Sequence, residues 1–162
     1  VTTLGFYSFF SSFPSSKFSY LIPPLLSLSA AVSEEIFFRA LMISFLKRYL
    51  KKINLAIILS TLVWSFLHVS PFLDNDIYPA FIKGFMLLPV GFMFGYIFIR
   101  FGLVCAIATH YLYDLAVIGL AFSEYNNFSN INENILVLLM AAIFPLAVVS
   151  FKWIGNYREN DA

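Results

Sequence analysis

Charge is what this sequence has least of. Only 12% of its 162 residues are Asp, Glu, Lys or Arg, against about 25% in a soluble globular domain. A chain of this size buries only about two-thirds of its surface, too little to hide a content that is 60% hydrophobic. A soluble monomer is therefore excluded. Disorder is excluded too, because 19% of the residues are aromatic and disordered chains are polar and poor in rings. Net charge is also small, at +1, which removes the electrostatic basis for a nucleic-acid partner. Cys105 is the single cysteine and lies in an apolar run, so it reads as packing, with no internal disulfide and no cysteine metal cluster. Internal repeats, low-complexity tracts and a second soluble domain are absent from the sequence, as is a signal peptide with an Ala-x-Ala-type cleavage site. The chain opens on Val1 rather than Met, as a fragment would. What remains is an integral membrane protein.

A spanning helix needs about 20 mostly apolar residues, and about five stretches qualify: Tyr20 to Leu46, Ile53 to Val69, Tyr78 to Ile99, Phe101 to Phe122 and Ile135 to Trp153. The expected fold class is all-α, a polytopic transmembrane bundle. Residues 1–19, with the Phe- and Ser-rich stretch Leu4 to Phe13, read as an interfacial or partial segment, 20–155 as the helical core and 156–162 as a polar tail. Pro23 and Pro24 start or kink the first helix, and Pro89 and Pro145 fall inside spans, where membrane helices tolerate them.

Basic and acidic connectors alternate. Lys47, Arg48, Lys51 and Lys52 follow the first span, Asp74 and Asp76 the second, Arg100 the third, Glu124 and Glu133 the fourth, and Lys152 and Arg158 the last. Basic loops stay in the cytoplasm, so the Lys47–Lys52 loop, the Arg100 turn and the C-terminus are expected there. Asn127-Phe128-Ser129 fits a glycosylation acceptor on the outward side, a triplet common by chance. Richness in Phe, Ile, Asn and Ser fits a low-GC bacterium, which makes a bacterial plasma membrane the expected location.

The informative residues interrupt the spans. Glu34, Glu35, Arg39 and Asp114 lie in apolar stretches with His68 and His110, the chain's two histidines. A charge at mid-bilayer costs about 2.5–3.5 kcal/mol on insertion scales, so such groups face a protein interior and mark function by default. Lys83 lies near a span end and can snorkel. At about 100° per residue, Glu35 and Arg39 are about 40° apart and can neutralise each other. Glu34 is about 140° from Arg39 and lacks that partner. A carboxylate taken out of water without a counter-charge is a better proton acceptor, as a general base must be. The same spacing puts His110 with Asp114, and Trp64 with His68. For each of these the plain structural alternative is a neutralised pair or a hydrogen-bonded core histidine.

Together these residues resemble a known family. Glu34-Glu35-Ile36-Phe37-Phe38-Arg39 matches the Glu-Glu-x-x-x-Arg motif of the CAAX-protease and bacteriocin-processing (CPBP, or Abi) family. Trp64-Ser65-Phe66-Leu67-His68 resembles its Phe-x-x-x-His motif with Trp for Phe, and His110-Tyr111-Leu112-Tyr113-Asp114 its His-x-x-x-Asn/Asp motif. Gly91-Phe92-Met93-Phe94-Gly95, followed by Arg100, Phe101 and Gly102, is similar to the stretch before the third motif. One motif alone is weak; three in order, each in a hydrophobic span, are specific.

The resemblance implies an intramembrane endopeptidase. Glu34 would be the general base, activating water with His68, while Glu35 pairs with Arg39 and Trp64 shapes the site beside His68. His110 and position 114 would stabilise the oxyanion. Position 114 is Asp, where the best-studied members of the family have Asn, and an ionised Asp cannot donate a hydrogen bond. Asp114 is then either protonated or an orienter of His110, and the second reading is preferred. The expected substrate is a membrane-associated or lipidated peptide or protein, with no cofactor.

Other readings stay open. Glu34, Glu35, His68 and His110 are also a zinc-type donor set, although His-Glu-x-x-His is missing. A two-aspartate mechanism lacks its partner, and Ser65, near His68, has no nucleophile elbow. A non-catalytic member of the family would bind a partner in the membrane, as in bacteriocin self-immunity. A proton-coupled transporter would use the same acids and histidines as a relay but usually shows repeats.

Overall fold

The structure is a computed structural model, and it describes residues 21–68, 77–125, 143 and 146–150. All secondary structure among them is helical, as expected of an all-α membrane bundle. Helix α1 covers Ile22–Glu34 and runs without a break into a π-helical segment, Glu35–Ile43, and then into α2, Ser44–Leu50. Helices α3 (Ile53–Leu67), α4 (Ile77–Phe101) and α5 (Leu103–Tyr125) follow. The described helices divide between two compact units, Ser33–Ala106 on one hand and Val1–Val32 with Ile107–Ala162 on the other.

Local chemistry explains where the helices begin and end. Pro23 and Pro24 fall in the first turn of α1, where a missing N–H costs nothing. They start the helix, and the Ser27 hydroxyl donates to the Pro23 carbonyl at 2.7 Å. Helix α2 stops at Lys51, whose φ of 54° is left-handed and whose N–H returns to the Lys47 carbonyl at 2.9 Å. Helices α4 and α5 are separated by one residue. Gly102 sits at φ 88°, a conformation glycine adopts without strain, and a Cβ there would touch nothing. Its role is conformational, and it makes the Arg100 turn tight.

Phe81–Phe101 and Leu103–Leu120 are long and apolar enough to cross a membrane. Helix α3 has 15 residues, about 22 Å at 1.5 Å per residue, so it falls short of a hydrocarbon core of about 30 Å. The span expected to reach Val69 is thus shorter as a helix, with His68 at its C-cap. Of the fifth expected span only Ile143 and residues 146–150 are described, as helix. Residues 1–19, the Asp74 and Asp76 loop, the Asn127 triplet, Glu133 and the 156–162 tail lie outside the described residues.

Polarity is inverted relative to a soluble protein. Leu25, Phe45, Phe85, Met86, Val104 and Leu120 are exposed, while Ser27, Glu35, Arg39, Ser60, Thr61, Ser65 and His110 are buried. Small and polar residues at helix contacts with large apolar ones outside is the arrangement a bilayer favours. In the unit Ser33–Ala106, α3 packs against both the π-helical segment and α4. In the other unit, Ala31 of α1 packs with Tyr111 and Leu115 of α5.

Candidate active site

The two adjacent glutamates lie on either side of a change in winding. Glu34 is the last α-helical residue and Glu35 the first of the π-helical segment. Within that segment the Glu35 carboxylate Oε2 lies 3.3 Å from Arg39 Nε, and both side chains are fully buried. Arg39 Nη2 donates to the Gly91 carbonyl at 3.4 Å. The guanidinium carbon lies 4.9 Å from the Trp64 ring centroid and 5.6 Å from that of Phe94, within cation–π range of both. The Ser60 hydroxyl donates to the Phe38 carbonyl at 2.7 Å, satisfying an acceptor within the widened turn. Such turns recur at functional sites.

Glu34 is not left without a partner, although the helical wheel separates it from Arg39. The indole N–H of Trp64, 30 residues further on, donates to Glu34 Oε2 at 2.5 Å. Arg39 also acts on Glu34 electrostatically. His68 brings its Nε2 to 3.7 Å from the same Oε2, and its Nδ1 lies 2.8 Å from the Trp64 carbonyl. A carbonyl only accepts, so Nδ1 carries the hydrogen and the neutral ring keeps its lone pair on Nε2. Glu34 and His68 are partly exposed, whereas the Trp64 ring between them is buried.

Glycine makes this packing feasible at one position. A Cβ on Gly91 would come to 2.8 Å from Thr61 Cγ2 and 2.9 Å from Trp64 Cε3. Phe94 meets the indole edge-on at 5.9 Å. Gly91 and Phe94 belong to the run that resembles the stretch before the third motif, but their contacts with Arg39 and Trp64 have no signature in spacing. Neither does the Ser60 bond, whose donor and acceptor are 22 residues apart.

His110 and Asp114 belong to the other unit. His110 is buried, and its Nε2 lies 3.4 Å from Asp114 Oδ2, one helical turn on. The structure thus brings together Glu34, Trp64 and His68, separately Glu35 with Arg39, and separately His110 with Asp114. Ser65 is fully buried, and its hydroxyl has no hydrogen-bond partner among the described residues, so it is no accessible nucleophile. For a zinc ion, the donors of Ser33–Ala106 fit poorly: Glu35 is taken up by a buried guanidinium, and among the described residues of that unit no three His, Cys, Asp or Glu side chains gather.

A family model described as Type II CAAX prenyl endopeptidase Rce1-like matches residues 16–116, well over half the chain and every candidate residue named above. The chain belongs to the Rce1-like family. Sporulation-killing factor biosynthesis protein SkfC of Bacillus subtilis (strain 168) is 28% identical over 100 residues. That alignment takes in 62% of this chain and 19% of SkfC, so the chain spans about a fifth of the length of this curated relative. No solved structure matches. Within the Rce1-like match lie all three motifs that carried the CPBP resemblance, Glu34 to Arg39, Trp64 to His68 and His110 to Asp114.

Proposed function

We propose that this Rce1-like chain is an intramembrane endopeptidase of the CAAX-protease type, hydrolysing a peptide bond of a membrane-associated or lipidated substrate. The observation that carries the reading is the 3.7 Å separation of Glu34 Oε2 and His68 Nε2. It exceeds a direct N–H···O bond. A water about 2.8 Å from each atom closes a triangle on them with an apex angle near 83°. Both atoms can accept from that water, Glu34 as a carboxylate and His68 through its lone pair.

In the reaction, Glu34 takes a proton as the water oxygen attacks the peptide carbonyl, and it returns that proton to the departing amine. Hydrolysis is balanced by one water, with no electron transfer. His110 is assigned to the developing oxyanion: with Nε2 held by Asp114, it donates through Nδ1 in its doubly protonated form. The buried Glu35–Arg39 pair fixes the helix that presents Glu34. No metal enters the scheme, a reading supported by the engagement of Glu35 with Arg39. The substrate partner lies in the lipid bilayer, and no nucleic acid takes part.

Membrane placement follows the charges. Lys47, Arg48, Lys51 and Lys52 are exposed around the start of α3, where they anchor to a cytoplasmic headgroup layer. With the Arg100 turn and the C-terminus, they define the cytoplasmic side of a bacterial plasma membrane. A helix of about 22 Å starting there ends inside the apolar slab, which supports a site below the membrane surface. SkfC is named for biosynthesis of a sporulation-killing factor, and this favours maturation of a bacterial precursor over trimming of a prenylated protein.

The test is cleavage of a membrane-presented peptide library by reconstituted wild type and Glu34→Gln. Loss of the general base lowers the rate by about 10²–10⁴-fold, with helical circular dichroism unchanged. Full activity in Glu34→Gln overturns the catalytic reading and leaves a binding or immunity role.

A further inference from the structure

The two halves of Trp64 serve different members of the reacting pair. Its indole N–H donates to Glu34 Oε2 at 2.5 Å, and its main-chain carbonyl lies 2.8 Å from His68 Nδ1. We infer that Trp64 is the positioning residue of the site, its side chain fixing the carboxylate and its backbone fixing the imidazole tautomer. The inference rests on the protease reading for its consequence in turnover, while the contacts themselves stand on geometry.

Four features make the indole a firm donor. Its ring is 2% exposed. Phe94 abuts it edge-on at 5.9 Å, and Gly91 closes on it so nearly that a single added carbon would lie 2.9 Å from Cε3. Arg39 lies over the ring face at 4.9 Å. A cation there draws on the π electrons, which makes the ring N–H a stronger donor. A hydrogen bond to an ionised acceptor is about twice as strong as a neutral one, so Glu34 is held most firmly when it is ready to take a proton. After proton transfer the indole remains a donor to the acid, and the rotamer is kept through the cycle. A phenylalanine, as in the family pattern, fills most of this volume and supplies no donor.

The experiment has a kinetic and a spectroscopic arm. In the first, Trp64→Phe is compared with wild type on a membrane-presented peptide. Loss of orientation, with substrate contacts intact, lowers kcat by about 10–100-fold and leaves KM within about twofold of wild type. In the second, Trp153→Phe makes Trp64 the only tryptophan of the chain. With ¹⁵N-indole label, its Nε1–H resonance shifts and exchanges faster with solvent in Glu34→Ala, and stays slow to exchange in Glu34→Gln, which keeps an acceptor. Wild-type kcat in Trp64→Phe overturns the inference, as does an indole resonance that ignores Glu34→Ala. A wild-type protein that cleaves nothing overturns the protease reading instead, and the resonance then still decides whether Trp64 holds Glu34.

Discussion

The indole N–H of Trp64 and the carboxylate of Glu34 meet at 2.5 Å across 30 residues of sequence. This bond joins the Glu-Glu-x-x-x-Arg helix to the helix that ends on His68, the two elements that present the proposed base and its imidazole partner. Arg39, seated on the same indole, joins the structural pair to the reacting one. Effects on stability and on turnover are therefore separable by choosing which side of the tryptophan is disturbed.

Removing one member of the Glu35–Arg39 pair strands the other as a buried charge. Arg39→Ala or Glu35→Ala lowers the unfolding free energy by about 3–5 kcal/mol, read as earlier thermal unfolding in detergent. Arg39→Ala is the worse of the two, because the Gly91 carbonyl and two ring faces also lose their partner. A change below about 1 kcal/mol in both variants would contradict the burial of the pair.

Gly91→Ala places a methyl where Thr61 and Trp64 already stand. Overpacking of this kind costs about 1–3 kcal/mol, and the indole is displaced from Glu34. Activity falls more steeply than thermal stability does. A variant with unchanged melting and unchanged turnover would show that the packing around the ring is loose.

Asp114 stands where the best-studied members of the family have Asn, and its 3.4 Å approach to His110 Nε2 supports its proposed role as an orienter. Asp114→Asn keeps an oxygen acceptor at that place and retains activity within about tenfold, whereas Asp114→Ala lets the imidazole turn and loses about 10²-fold. Equal rates for Asn and Ala variants, measured on the same peptide, would remove Asp114 from the mechanism.

Metal independence is checked directly. Turnover by the reconstituted protein persists after prolonged incubation with a strong chelator, and elemental analysis of the active protein finds no stoichiometric zinc. Activity lost to chelator and restored by zinc would reinstate the alternative donor set.

Much of the helix layout is readable from composition because a bilayer demands it. Apolar runs broken by Lys51-Lys52 and by Arg100 correspond to α3, α4 and α5 within a few residues, and the breaks carry the positive φ values of Lys51 and Gly102. The i,i+4 contacts of Glu35 with Arg39 and of His110 with Asp114 are likewise legible, since helical spacing alone brings those residues together. Three things are not. The π-helical winding at Glu35–Ile43 has no glycine or proline to announce it. The Trp64–Glu34 bond depends on how two helices are rotated about their axes, which spacing within each cannot report. The short reach of α3 is hidden because its C-cap, His68, falls inside the apolar run.

The widened turn has a consequence for how this helix responds to its neighbours. Its hydrogen bonds skip one residue more than the tighter winding on either side, and the Phe38 carbonyl within it relies on a hydroxyl from α3. Were α3 to draw back, the stretch would lose the outside partner that sustains its girth and could rewind. Rewinding would carry Arg39 off the rings and uncouple the neighbouring carboxylates' separate duties. The motif's shape is therefore lent by the helix that bears His68, and on the proposed reading its readiness is tied to that embrace.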